Sequence, residues 1–275
     1  MGEIVLGLGV NHTPDFSIPG ADAPPDEQNR VFQAFSYLGQ RLQAAGPDLL
    51  VMFASEHFAN FNYEWMPAYA IGVAPWFPMP MEAWLNIPAT RQRGAYEVAE
   101  AILRDAMQAE VELTRVGDIP LDHGIATPLH FLGVSPDLPV IPIVINAILP
   151  PLPTLQRCWR LGQVVGESLR QNPRVGRVAV IGSGGLSHHV GTPEMGTVDE
   201  AFDRKFLDHI TSGAVERILG YSSQEIRAAG NGAEEIRNWV AMAGVLGAYR
   251  GKVVEYVPSP AWITGIGFAE FWPTE

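Results

Sequence analysis

Residues 4–16 read IVLGLGVNHTPDF. A β-branched apolar run enters Gly7 and Gly9 as the G-x-G-x-x-G turn of a dinucleotide-binding unit does, but His12 stands where the third glycine belongs. A phosphate turn works through bare backbone N–H groups, and an imidazole at that position would block the approach. The stretch therefore predicts the first strand of an α/β fold, one that delivers a side chain to the crevice beyond its carboxyl end.

Runs of the same kind recur at 48–54 (DLLVMFA), 68–74 (AYAIGVA), 111–116 (VELTRV), 140–148 (VIPIVINAI), 178–184 (VAVIGSG) and 252–257 (KVVEYV). Between them, Val31, Phe35, Leu38 and Leu42 fall at helical spacing within 26–45, and Leu155, Trp159, Val165 and Leu169 within 153–171. Residues 198–248 are almost continuously helix-forming, broken at GYSS and AAGNGAEE. This alternation predicts an α/β protein: one layered domain over residues 1–275, with a central, mostly buried mixed sheet flanked by helices. The proline-rich stretches 75–89 and 148–154 are too apolar and too short for linkers. They are expected to be covering loops, with 75–89 as a lid over the site.

Apolar residues make up 47% of the chain and charged ones 17%, which suits a protein with a sizeable core. The net charge is −12 and the only lysines are Lys205 and Lys252. No basic stripe can form to neutralise a phosphate backbone or an anionic membrane, so neither is expected as a partner. Cys158 is the one cysteine; it lies in a helical pattern and is expected as a packed core thiol. There is no signal-peptide pattern and no apolar run long enough to span a bilayer, so the expectation is a cytoplasmic protein.

Seven histidines are present, and their placement is informative. His12 follows the first predicted strand, His57 follows 48–54 in SEHFANF, His123 lies in LDHGIATP, and His188 with His189 follows 178–184 in GGLSHHVG. Strand ends far apart in sequence can converge on one crevice. A cluster of imidazoles without cysteines suits iron, zinc, copper or nickel. There is no H-E-x-x-H, no G-x-S-x-G and no lysine beside the glycine-rich GSGGLSHH loop, so zincin, serine-hydrolase and nucleotide-binding readings lack support. The missing ligand is a carboxylate, and AAGNGAEEIRNW offers two. Asn231 as N-cap with Glu234 three residues later would form a capping box, giving Glu234 a structural task. Glu235 lacks that explanation. It precedes the apolar stripe of Ile236, Val240 and Ala243, where a carboxylate is expensive to bury unless a cation receives it.

With His12 after the first strand and SEHFANF, DHG, GGLSHH and EEIRNW in that order, the chain resembles the class III extradiol ring-cleavage dioxygenases, the superfamily of the catalytic subunit of protocatechuate 4,5-dioxygenase. The resemblance implies non-haem Fe(II) held by His12, His57 and Glu235, the last being the glutamate four residues before Trp239. It implies His188 as the acid/base and His123 as a second pocket histidine that donates a hydrogen bond toward dioxygen or a substrate oxygen. His130, His189 and His209 match nothing functional. The implied reaction opens a catechol-type ring beside its diol with O2. The implied assembly is a homo-oligomer or a complex with a small accessory subunit. Two alternatives stay open, a zinc-dependent hydrolase using the same ligands and a non-catalytic metal-binding scaffold of the same fold. An anionic substrate would need a local arginine, which the sequence does not identify.

Overall fold

The computed structural model describes residues 1–21 and 23–274. Its strands are β1 (Glu3–Val10), β2 (Leu49–Ser55), β3 (Tyr69–Gly72), β4 (Trp76–Met79), β5 (Thr90–Arg93), β6 (Thr114–Val116), β7 (Val140–Ile145), β8 (Arg177–Ser183), β9 (Tyr249–Ser259) and β10 (Thr264–Pro273). Its helices are α1 (Pro25–Ala45), α2 (Tyr96–Gln108), α3 (His123–Phe131), α4 (Leu155–Gln171), α5 (Glu200–Ser212), α6 (Val215–Leu219), α7 (Ser223–Ala228) and α8 (Ile236–Leu246).

Eight strands form one mixed sheet in the order β6-β3-β7-β2-β8-β1-β10-β9, while β4 and β5 pair separately. The middle of the sheet, β7-β2-β8-β1, is parallel, so four strands end on the same edge. β2 is buried along its whole length and its side chains alternate between two cores. Leu49, Val51 and Phe53 face the core built with α2, α4, α5 and α8, and Leu50, Met52 and Ala54 face the one built with α1 and α3. A strand buried on both faces reads as a continuous apolar run, as 48–54 does.

The glycines of the opening stretch answer to packing. A Cβ on Gly9 would overlap the indole of Trp239, and one on Gly7 would lie 2.8 Å from Leu246. On the next strand, a Cβ on Gly182 would lie 2.8 Å from the Trp239 Cα. Bare backbone on β1 and β8 thus lets α8 settle directly onto the sheet. On its other side α8 meets α4 through Gly162, Gly166 and Gly244. Every residue of α8 is buried, so the helix is enclosed on all sides instead of presenting only the stripe of Ile236, Val240 and Ala243.

Three features depart from the sequence reading. The 198–248 block carries an additional break at Gly213, which caps α5 in the left-handed conformation. The stretch 264–273, given no element from sequence, is a strand that pairs antiparallel with both β1 and β9. The proline-rich 75–89 stretch is held in place: β4 pairs with β5, Met81 N–H donates to Leu121 O at 2.8 Å, and Asn86 N–H donates to Ser17 O at 3.0 Å. Expected as a lid, it contributes no residue to the wall of the cavity at the strand ends. Among the described residues no helix is long and apolar enough to cross a membrane. Cys158 is a fully buried thiol, pushed up to about 12 by burial.

Candidate metal centre

The edge where the parallel strands end opens into a cavity of about 610 Å³ that contains His12, His57, His123, His188 and Glu235 in its walls. All five residues singled out from sequence meet there. His12 lies two residues past β1 and His57 two past β2, while Glu235 closes a 3-10 turn, Gly232–Glu235, that runs into α8. The close seating of α8 is what carries that carboxylate to the strand ends. Asn238, one turn into the helix, donates to Ser183 O at 2.7 Å and to Ser55 Oγ at 2.9 Å, tying α8 to the ends of β8 and β2.

Glu235 reaches His12 Nε2 at 3.3 Å through Oε2 and His57 Nε2 at 3.2 Å through Oε1. The opposite ring nitrogens are committed elsewhere. Ser183 Oγ donates to Gly124 O at 2.7 Å, so it receives the His12 Nδ1–H at 2.8 Å. His57 Nδ1 donates to the Asp122 carboxylate at 2.8 Å. Both rings are thereby oriented with Nε2 toward the carboxylate, the arrangement in which outer partners fix the tautomer of metal-binding histidines. Glu235 Oε2 also accepts the Gly185 N–H at 2.6 Å.

Burial disfavours charge on every group here, and the neighbours decide the outcome. Burial lowers His12 and His188, with Glu235 acting against it on both. Burial works against His57 too, but Asp122 and Glu235 outweigh it and push the ring up to about 10. Against its own burial, Glu235 is held well below the usual carboxylate range by His12 and His57. A buried anion facing two imidazole nitrogens has the donor set of a two-histidine, one-carboxylate site for a divalent cation, so these residues fit such a metal.

His123 begins α3, whose N-cap is Asp122 accepting from Gly124 N–H at 3.1 Å. Its ring lies 4.0 Å, centroid to centroid, from that of His57. The donor nitrogens of His12, His57 and His123 lie within 4.8 Å of one another, so distance alone would also allow a three-histidine group. His123 Nδ1, however, donates to Glu82 Oε1 at 2.6 Å, and the same oxygen accepts the His123 backbone N–H at 3.1 Å. Glu82 escaped the sequence reading because it lies in the proline-rich stretch expected to be a lid, and no local pattern marks it.

His188 Nδ1 donates to Leu186 O at 2.9 Å, which leaves its Nε2 as an acceptor. Only glycine fits opposite it, since a Cβ on Gly232 would overlap the ring. His189 does not line the cavity and is half-buried outside it. The expected capping box is absent. Asn231 instead bridges Val190 through two hydrogen bonds, 2.8 Å to its N–H and 2.9 Å to its carbonyl, and the His188 carbonyl takes the Gly232 N–H at 3.1 Å. Glu234 forms a buried ion pair with Arg237, whose guanidinium also donates to Pro153 O at 2.7 Å, away from the cavity. Glu56 also went unrecognised. Its Oε1 accepts from the backbone of Asn60 and Phe61, shaping the turn in which Phe58 adopts φ 57° at the cavity wall.

Fold and site together define an enzyme of the kind that holds a metal among histidines and a carboxylate at the edge of a cavity. The family model described as the catalytic LigB subunit of aromatic ring-opening dioxygenase matches residues 7–267, and the chain belongs to that family. It is an extradiol-type ring-cleavage dioxygenase for catechol-type rings. Similar proteins include a 2,3-dihydroxyphenylpropionate/2,3-dihydroxicinnamic acid 1,2-dioxygenase of Cupriavidus necator, 29% identical over 93% of this chain and 94% of the relative. One of the same name from Klebsiella pneumoniae subsp. pneumoniae is 28% identical over 94% and 95% of the two chains. The fold resembles the crystal structure of an uncharacterized protein from Escherichia coli K12, with a TM-score of 0.65 at 12% identity over 96% of this chain and 99% of that one. Neither a zinc hydrolase nor a non-catalytic scaffold is favoured by these matches.

Proposed function

We propose that His12, His57 and Glu235 hold Fe(II), and that His188 and His123 move protons while a catechol-type diol is opened by O2. The observation that supports this most directly is the convergence of two oriented imidazole Nε2 atoms on one buried carboxylate. Imidazole and carboxylate ligands in this ratio suit Fe(II), which would receive the diol and O2. When bound, Fe(II) supplies the redox chemistry that joins O2 to the ring.

The protein's own residues supply the rest. His188, neutral and with a free Nε2, takes the proton that a diol hydroxyl loses on binding. With its Nδ1–H committed to Glu82, His123 gives or takes a proton only through Nε2, which directs it to a substrate oxygen. Apolar walls at Phe58, Ile148, Leu149 and Ile263 exclude water from reactive species. The 2,3-diol in the names of the relatives fits the same chemistry.

The test is to load the protein anaerobically with Fe(II) or with Zn(II), then admit O2 in the presence of catechol. The iron form should consume O2 and give the yellow ring-opened product, and the zinc form should not. Equal activity of the zinc form, or activity that does not need O2, would defeat the proposal.

A further inference from the structure

Resting on the ring-opening reading above, we infer that the substrate carries an uncharged, apolar substituent on its diol ring, and that this enzyme discriminates against ring-linked carboxylates. A catechol ring fills only part of a cavity of about 610 Å³, so the substituent meets the remaining wall. Its apolar part is built by Phe58, Ile148, Leu149, Val190 and Ile263, and the polar side chains of Tyr63, Asn231 and Thr264 beside them are uncharged. Apart from the metal ligand Glu235, the carboxylate facing the cavity is Asp15, held by the Thr13 hydroxyl at 3.1 Å.

Recognition of a carboxylate calls for a cation, best a bidentate arginine. Among the described residues no lysine or arginine lines the cavity. Arg237, nearest in sequence to the site, spends its donors on Glu234 and Pro153. An anionic substituent would lose its hydration against aliphatic side chains and also face Asp15 across a medium that screens poorly. A propyl-sized substituent would instead bury its surface on those same side chains.

The experiment compares 3-propylcatechol, 2,3-dihydroxyphenylpropionate and 3-(2-aminoethyl)catechol with unsubstituted catechol on the Fe(II) enzyme. Both kcat/KM and the anaerobic binding constant by calorimetry are measured. The propyl compound should exceed the propionate by about tenfold or more in both, since like-charge juxtaposition and unpaired burial both disfavour the anion. Val190→Arg, at a half-exposed wall position, should narrow or reverse that ratio by favouring the propionate. A wild-type preference for the propionate, or for the aminoethyl compound over the propyl one, would overturn the inference while leaving ring opening intact. Failure to open any of the four, catechol included, would bring down the ring-opening reading and this inference with it.

Discussion

Glu234 and Glu235 are neighbours of one residue type with separate tasks. Glu235 faces two imidazoles, and Glu234 is paired with the buried guanidinium of Arg237. Glu235→Gln should therefore lose metal while keeping its fold, because an amide replaces an anionic ligand. Glu234→Gln should retain metal and lose about 3 kcal/mol or more of stability, since a buried cation is left without its partner. That exceeds the loss of a helix cap, which the sequence alone suggested for this residue. Metal analysis with urea unfolding of both variants decides the point, and loss of metal from Glu234→Gln with retention in Glu235→Gln would reverse the assignment. Ser183 acts one step further out by fixing the His12 tautomer. Ser183→Ala should weaken metal affinity about 10- to 100-fold, measured by competition with a chelating dye, and an unchanged affinity would remove that role. His188→Phe should keep its metal and still lose about 10²- to 10⁴-fold in turnover, with His189→Phe far milder. Equal activity of the two variants would take His188 out of the mechanism.

At the scale of elements, the decisive contact is α8 on β1 and β8. Gly9→Ala places a methyl group into the Trp239 indole, so the helix has to lift. Overpacking of this kind costs about 1–3 kcal/mol, and here it should also weaken metal binding by moving Glu235. Adding Trp239→Phe should recover part of both losses; a Gly9→Ala protein of unchanged metal affinity would show that the seating does not set the site. The parallel strands were legible because burial on both faces writes a continuous apolar run, and His12 and His57 were legible because each stands two residues past such a strand, whereas His123 opens a helix, α3. Strand β10 was not, because Gly265 and Gly267 interrupt its sequence for reasons visible only in three dimensions. A Cβ on Gly265 would overlap the Asp203 carboxylate, and one on Gly267 would meet Leu186 at 2.9 Å. Glu82 was illegible for a related reason, since its partner lies 41 residues away. The Asn231–Glu234 capping pattern misled because both side chains are taken elsewhere, Asn231 by the Val190 backbone and Glu234 by Arg237.

Across the whole molecule, the C-terminal hairpin and the α5 segment are joined to the site through Asp203. This buried carboxyl on α5 accepts from Ser187 N–H at 2.7 Å, Ser187 Oγ–H at 2.8 Å and the Tyr256 hydroxyl of β9 at 2.7 Å. Ser187 immediately precedes His188, so the contact fixes the loop that presents the base. Burial pushes Asp203 up to about 6 from the usual 3.8, in spite of those donors, with Asp199 adding repulsion. The folded state thus binds this proton more tightly than the unfolded chain does. The associated stability is fully present below pH 3.8 and is lost as pH rises through about 6. Two decades of proton affinity correspond to roughly 3 kcal/mol. Asp203→Asn keeps the shape and, like the protonated form, carries no charge to bury. Urea unfolding of wild type and variant between pH 4 and 7 should give curves that diverge, with Asp203→Asn gaining on the wild type as pH rises through this window. Parallel curves would mean that the carboxylate is ionised at no cost in the folded protein and that its three donors outweigh its burial.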